Sequence, residues 1–285
     1  MVVNVIIPVY NRLHHTIRVI GSLRAQTLVK NLRIIVVDDG STDGTADYLN
    51  EQDDVFTIKG DGNLWWAGSI DLGICHVMVE AAHDDYVIFL NNDTWFAPDY
   101  IATLIEVSRQ TGGVPVGSVI HEENRENSLV SIGPVININR IAVWDLLSQL
   151  TVEEIRQPKP VYRVHALSGR GALYPVSFFI KHGGMRPRLL PHYLADYELS
   201  MRFAREAKVA LVVSTRAIVY SPPVYGNYVS QFGLLERLFS TRSSSNIFRK
   251  LIFYCLVGSP SQRITAPLRL ACFGLYRYFI KLINK

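Results

Sequence analysis

Cysteine is scarce in this chain of 285 residues, and Cys75, Cys255 and Cys272 form an odd, widely spaced set. That spacing argues against a disulfide framework and against a thiolate zinc site, and predicts reduced, mostly buried thiols. No run of about 18 apolar residues occurs, so a membrane-spanning helix is not expected. The N-terminus lacks a basic segment, a long apolar stretch and a cleavage site, and enters a strand at once, which points to a cytosolic rather than a secreted protein. No G-x-G-x-x-G follows the first apolar run, which speaks against a dehydrogenase. Low-complexity tracts and internal repeats are missing, and a net charge of +4 is too mild to imply nucleic acid.

What is present is a rhythm of short apolar runs and amphipathic segments. Val2 to Val9, Leu32 to Val37, Val55 to Ile58 and Tyr86 to Leu90 read as buried strands. Between them, Asn11 is expected to cap a helix running to about Gln26, Ser41 to Leu49 reads as a short helix, and Ala67 to Ala82 as a longer one. Pro98 suits the first turn of the next helix. Such alternation predicts an α/β fold with a mostly parallel, twisted central sheet flanked by helices. After Thr111 the pattern loosens. Val114 to Ile120 is a strand, Ser128 to Val143 suggests hairpins, Leu194 to Ala207 is a helix and Val209 to Val213 a strand. The expected organisation is one domain over 1–230, split into 1–110 and 111–230, followed by a helical extension over 231–285.

Acid nearly disappears from that extension. Beyond Phe232, Glu236 stands alone against Arg237, Arg242, Arg249, Lys250, Arg263, Arg269, Arg277, Lys281 and Lys285, with aromatic residues between them. In the last helix Leu268, Ala271, Cys272, Leu275, Phe279, Leu282 and Ile283 make one apolar stripe, and Arg269, Arg277, Lys281 and Lys285 another arc. That pattern predicts a helix lying in a membrane interface, against the alternative of a helix packed on the main domain with a solvated basic face.

Three acid-bearing turns carry the chemistry: Asp38-Asp39-Gly40-Ser41-Thr42-Asp43, Asn91-Asn92-Asp93-Thr94 and Ala195-Asp196-Tyr197-Glu198. Each is read as following an apolar strand, and turns at the carboxyl ends of parallel strands gather at one sheet edge. Acids there suit a metal ion and its phosphate ligand better than phosphate alone. The helix after Asn63, Trp66 and Gly68 offers N-terminal amides to a diphosphate. The tandem tryptophans Trp65 and Trp66 wall a sugar or anchor a core.

Val5-Ile6-Ile7-Pro8-Val9-Tyr10-Asn11-Arg12, the Asp38-Asp39 turn and the Asn91-Asn92-Asp93 turn resemble family 2 glycosyltransferases of the GT-A fold. Ser168-Gly169-Arg170-Gly171, Gly183-Gly184 and Ala195-Asp196-Tyr197-Glu198-Leu199 resemble that family's acceptor half, and the match runs over about residues 2 to 220 in the expected order. Asn-Asn-Asp with Leu64-Trp65-Trp66 is most similar to bacterial enzymes that build surface polysaccharides.

The resemblance implies an inverting, metal-dependent hexosyl- or deoxyhexosyltransferase. Its donor is a nucleotide-diphosphate sugar; the basic, aromatic tail suggests a lipid-linked glycan acceptor at the inner face of the cytoplasmic membrane. It places Pro8, Val9 and Tyr10 under the nucleotide base, Asp38 and Asp39 on base or ribose, and Asn63, Trp66, Gly68, Asn91, Asn92 and Arg170 around the donor. Asp93 becomes the ligand of Mg²⁺ or Mn²⁺, and Asp196 the general base, with Glu198 the alternative. Two departures stand out: Ala195 sits where relatives carry an acid, and Ile218 to Pro222 lacks the metal-binding histidine many relatives have there. A sugar-1-phosphate nucleotidyltransferase and a catalytically inactive sugar-binding protein are the alternative functions.

Overall fold

The computed structural model describes residues 1–123, 128–222 and 233–283, with backbone alone at 234 and 273–283. Ten helices and eleven strands run in the order β1 (Val3–Val9), α1 (Leu13–Arg24), β2 (Leu32–Asp38), α2 (Thr45–Asn50), β3 (Val55–Lys59), α3 (Trp65–Val77), β4 (Tyr86–Phe89), α4 (Tyr100–Gln110), β5 (Val116–Glu122), β6 (Leu129–Ser131), β7 (Pro134–Asn137), β8 (Ala142–Asp145), α5 (Val152–Arg156), β9 (Val161–Val164), β10 (Ala172–Pro175), α6 (Val176–His182), α7 (Ala195–Ala207), β11 (Leu211–Ser221), α8 (Leu234–Phe239), α9 (Ile247–Val257) and α10 (Pro260–Ile283) among the described residues.

The expected α/β architecture is present. One sheet has the order β3-β2-β1-β4-β10-β5-β11-β9, with β6 paired on β5, while β7 and β8 form a separate hairpin. β1 to β4 are mutually parallel, β5 and β11 point the same way, and β10, β9 and β6 run against them. The antiparallel β10 sits between β4 and β5, so it brings the segment before it to the edge where β4 ends.

Strict alternation in β1 divides the core. Val3, Val5, Ile7 and Val9 face one cluster with Val19, Ile20 and Leu23 of α1 and Ile101 and Leu104 of α4. Ile6 faces the other, with Ile70, Ile74 and Val77 of α3 and Leu199 and Phe203 of α7. Both sheet faces are therefore covered, which is why β1 and β2 are mostly apolar on both sides.

Several local expectations change. α1 begins at Leu13, two residues after Asn11. Asn11 does not cap it: Arg12 holds the cap position in a left-handed conformation, and Asn11 Oδ1 accepts from the Thr42 amide. Asp43 Oδ2 takes the Leu13 amide instead, so the helix is capped from a neighbouring turn. α4 starts after Pro98, at Tyr100. Cys75 and Cys272 are exposed and Cys255 half-buried, so the thiols are free but not buried as expected.

The C-terminal helices are mixed in character. Phe253 and Tyr254 of α9 are buried in the same cluster as α7, and Arg205 of α7 donates to the Leu256 carbonyl. On α10, Ile264 is 82% exposed and Leu268 68%. The stripe positions Leu275, Phe279, Leu282 and Ile283, and the bases Arg277, Lys281 and Lys285, lie outside the described side chains. No helix among the described residues is long and apolar enough to cross a membrane.

Gly73 tests how α3 seats on β1. A Cβ there would lie 2.5 Å from Ile6 Cγ2. Gly73→Ala is expected to destabilise the chain by about 1–3 kcal/mol through overpacking, read as a lowered urea midpoint.

Candidate active site

The carboxyl ends of β1, β2 and β4 lie side by side, and their turns are tied together. Asn11 N donates to Ser41 Oγ at 2.7 Å and Asp39 N to the Val9 carbonyl at 2.8 Å. Pro8 and Val9 pair with Val37 and Asp38 across β1 and β2, which leaves Tyr10 61% exposed just beyond them. Asp38 is buried and accepts the Ser41 amide at 3.0 Å.

Asp39 orders the following loop. Its Oδ1 accepts from Gly62 N at 2.8 Å and its Oδ2 from Trp65 N at 3.1 Å. Gly60 is required beside it, because a Cβ there would stand 2.6 Å from Asp39 Oδ1. The amides of α3 are therefore not a free anion cradle: Trp65 N is taken by Asp39 and Ala67 N by the Pro191 carbonyl. Trp66 and Gly68 lie within α3, and Asn63 is exposed in the loop before it.

At the end of β4 the three residues separate. Asn91 Oδ1 accepts Trp66 Nε1–H at 2.9 Å. Asn92 is buried and donates to Thr16 Oγ1 on α1 at 3.4 Å, so it anchors the turn rather than offering its amide to a donor. Asp93 pairs through Oδ2 with Arg12 Nη1 at 3.1 Å, while its Oδ1 is buried with no hydrogen-bond partner. Just past it, Trp95 exchanges backbone hydrogen bonds with Tyr220 and lies 3.4 Å beneath the Arg18 guanidinium, which Glu123 holds at 2.6 Å.

The third acidic turn is not a strand end; it opens α7 after the loop from Gly183 to Leu194. It still reaches the same place. Gly171 N donates to the Phe89 carbonyl, which lays Ser168 to Gly171 beside the Asn91 turn. Gly169 packs on the Trp66 indole so closely that a Cβ would sit 2.2 Å from Cζ2. Gly169 N donates to Asp196 Oδ2 at 2.8 Å, and Tyr197 N to Oδ1 at 3.0 Å.

The surroundings decide the acids' states. Burial pushes the Asp196 carboxyl up to about 6, against the lowering effect of the Gly169 and Tyr197 amides and the Arg170 charge. Burial also lowers the His192 pKa, so this imidazole, beside Trp65 and Tyr193 with its Nδ1 unpartnered, is neutral at pH 7. Glu198 is taken out of consideration as a base. It is buried between Arg202, at 3.1 Å, and Arg186, at 3.2 Å, and Arg202 also donates to the His182 and Gly184 carbonyls. Glu198 and Arg202 stand four residues apart on α7, a spacing that favours such a pair.

The model of the family described as "Glycosyl transferase family 2" matches residues 4–181, a stretch that includes every element of this edge except α7. The chain belongs to glycosyl transferase family 2. Among curated relatives, EpsH of Bacillus subtilis, named a glycosyltransferase, is 30% identical over 109 residues, 37% of this chain and 30% of that protein. Glycosyltransferase GlyA of Streptococcus pneumoniae is 30% identical over 105 residues, 36% of this chain and 14% of that protein. The matched part thus spans less than a third of either relative's length. Among solved structures, GalNAc-T7 with UDP, GalNAc and Mn²⁺ superposes with a TM-score of 0.62 at 16% identity, over 78% of this chain and 44% of that one. Staphylococcus aureus TarS residues 1–349 with UDP-GlcNAc does so with a TM-score of 0.59 at 15% identity, over 96% and 71%. At such identities these likenesses establish the GT-A fold.

For this family 2 chain, the donor set at Asp93 fits a cation shared with a diphosphate. The orphaned Oδ1 is a buried acceptor awaiting a partner. Asn91 Oδ1 is already used by Trp66, and no cluster of three His, Cys, Asp or Glu side chains stands among the described residues. Phosphate and water oxygens would complete the shell.

Sequence reading missed Arg12 at Asp93 and the Gly169–Trp66 contact. The first had a signal, a basic residue in the turn after β1; the second had none beyond the glycine. Gly169→Ala is expected to displace the indole and cut nucleotide-sugar turnover by roughly a hundredfold. Trp66→Phe, which loses both the Nε1 bond and the ring edge packed on Gly169, should also fall. Equal turnover in the wild type and both variants, measured as nucleotide release, would show the contact to be idle.

Proposed function

We propose that this chain is an inverting glycosyltransferase, moving a hexosyl or deoxyhexosyl group from a nucleotide-diphosphate sugar to an acceptor hydroxyl. One observation carries the reading: the Asn91–Asp93 turn and Asp196 are joined at one sheet edge through Trp66 and Gly169. Tyr10, exposed beyond Pro8 and Val9, offers a ring to the base. Asp38 and Asp39 keep acceptor capacity for base or ribose N–H and O–H groups after holding their amides. Asn91 orients Trp66 beside the sugar, and Arg170, whose charge acts on Asp196 and Tyr193, faces the acceptor side.

Asp196 takes the proton of the acceptor hydroxyl as that oxygen bonds to the anomeric carbon. The bond from that carbon to the phosphate oxygen breaks, and its electron pair leaves with the nucleoside diphosphate. Attack opposite the leaving group inverts the centre. When bound at Asp93, Mg²⁺ or Mn²⁺ supplies charge neutralisation to the departing diphosphate. GalNAc-T7 was solved with UDP and Mn²⁺ and TarS with UDP-GlcNAc, which supports a donor of this class here. Family membership leaves the nucleotidyltransferase alternative without support.

The acceptor in this reading is a lipid-linked glycan of bacterial surface polysaccharide, met at the inner face of the cytoplasmic membrane. Supporting it, Ile264, Leu268 and Cys272 lie exposed at four-residue spacing on α10, in a segment whose sequence is rich in basic residues. Residues 1–230 then form the catalytic unit and 231–285 the membrane-facing extension, with α9 fastening the two through Phe253 and Tyr254.

Asp196→Asn is expected to bind donor normally and lose turnover by at least about a hundredfold. Lost donor affinity with unchanged turnover at saturation would refute the base assignment. The wild-type kcat/KM should fall below a pH near 6, where Asp196 protonates. Stability follows the same group. Its folded pKa lies above its unfolded value, so wild-type stability should decline as pH rises from about 4 to 6 and then level. Asp196→Asn should lack that component of the decline in thermal midpoint. Deleting 264–285 is expected to move the protein from the membrane fraction to the supernatant; an unchanged distribution counts against the anchor.

A further inference from the structure

Arg12 is placed by a strained turn. Asn11 and Arg12 both hold left-handed φ, 58° and 65°, in succession and without glycine. L-residues resist that conformation, and it persists only where the surroundings over-determine it. Here three bonds do so: Asn11 N to Ser41 Oγ, Thr42 N to Asn11 Oδ1 and Leu13 N to Asp43 Oδ2. The outcome is a guanidinium 3.1 Å from Asp93, 81 residues away in the chain.

That contact is poor as a stabilising device and good as an exchangeable one. The Arg12 side chain is 60% exposed and Asp93 18%, and the pair rests on one nitrogen. Half-exposed pairs of this kind contribute little to stability. Arg12 commits Nη1 alone, which leaves most of its five N–H donors uncommitted on an exposed side chain. Its planar fork matches a phosphate in bidentate fashion, which a lysine cannot reproduce. Asp93 in turn keeps a buried, unpartnered Oδ1, so the pair leaves the carboxylate unsatisfied.

We propose that Arg12 is a diphosphate-binding residue that rests on Asp93 in the empty enzyme and swings to the donor's phosphates when these arrive. The inference rests on the donor-site reading above and adds to it a residue and a direction of movement. The guanidinium keeps Asp93 neutralised until the donor comes, and then gives that oxygen up.

Two titrations of the full chain test this, both followed by tryptophan fluorescence. One uses Mn²⁺ alone. The other, in EDTA, uses whichever of UDP, GDP and dTDP binds the wild type most tightly. Arg12→Gln removes a competitor from Asp93 and a ligand from the phosphates. Mn²⁺ alone should therefore bind several-fold tighter, and the nucleoside diphosphate about tenfold weaker. Arg12→Lys should fall between wild type and Arg12→Gln in the second titration. Opposite signs are the signature, because general damage to the fold weakens both ligands together. Nucleoside diphosphate affinity unchanged in Arg12→Gln, or both affinities lowered in Arg12→Gln and Arg12→Lys alike, overturns the proposal. A wild type that binds none of the three nucleotides, in EDTA or with Mn²⁺ present, overturns the donor-site reading and this inference with it.

Discussion

The site depends on one close approach: the Trp66 indole lies between Asn91 and Gly169. Its Nε1–H is spent on Asn91 Oδ1, and its ring edge fills the space a side chain at 169 would need. Gly169 passes the constraint on through its amide to Asp196. The turn after β4 and the first turn of α7 belong to different halves of the chain, more than 100 residues apart in sequence. The pairing of β10 with β4 and the bond from Gly171 N to the Phe89 carbonyl bring the two halves together, and the indole fixes the spacing. A large, rigid side chain with one polar handle suits this task, since it fixes distance by packing and orientation by one hydrogen bond.

Around that link, acids of one chemical type are sorted by what surrounds them. Asp39 is capped by two loop amides and shapes the loop before α3. Glu198 lies buried between guanidiniums and locks the Gly183–Leu194 loop to α7 through Arg202. Asp196, two residues earlier, accepts two amides and has no ion pair among the described residues, and burial raises its pKa to about 6. Asp93 meets the Arg12 guanidinium through Oδ2, while its Oδ1 is buried without a hydrogen-bond partner. Two neighbours on one helix thus differ because Glu198 turns toward arginines and Asp196 toward a glycine amide. The raised pKa of Asp196 marks out an acid suited to proton transfer.

The C-terminal helices divide their labour by face. α9 contributes Phe253 and Tyr254 to the core shared with α7, so the extension is fastened to the catalytic unit. Through Ile264 and Leu268, α10 instead leaves large apolar side chains in water, which costs free energy unless something covers them. The basic, aromatic composition beyond Phe232 covers both behaviours, and composition alone does not separate them.

Much of the fold was legible in sequence. Apolar, largely β-branched runs at 3–9 and 32–38, interrupted at Asn4, Pro8 and Arg33, suit a sheet covered on both faces, and helical spacing between them argues for parallel strands. The acids at 38, 39 and 93 then fall at strand ends because the runs stop there. The i,i+4 spacing of Glu198 and Arg202 was equally readable, being a local property of any helix. Tertiary structure alone decided the rest. Which residue caps α1, which amides of α3 remain free, where the thiols lie and what touches Asp93 all depend on partners distant in sequence. No periodicity encodes them, because a hydrogen bond from Asp43 to Leu13, or an indole against Gly169, exists only once separate strands have been laid side by side.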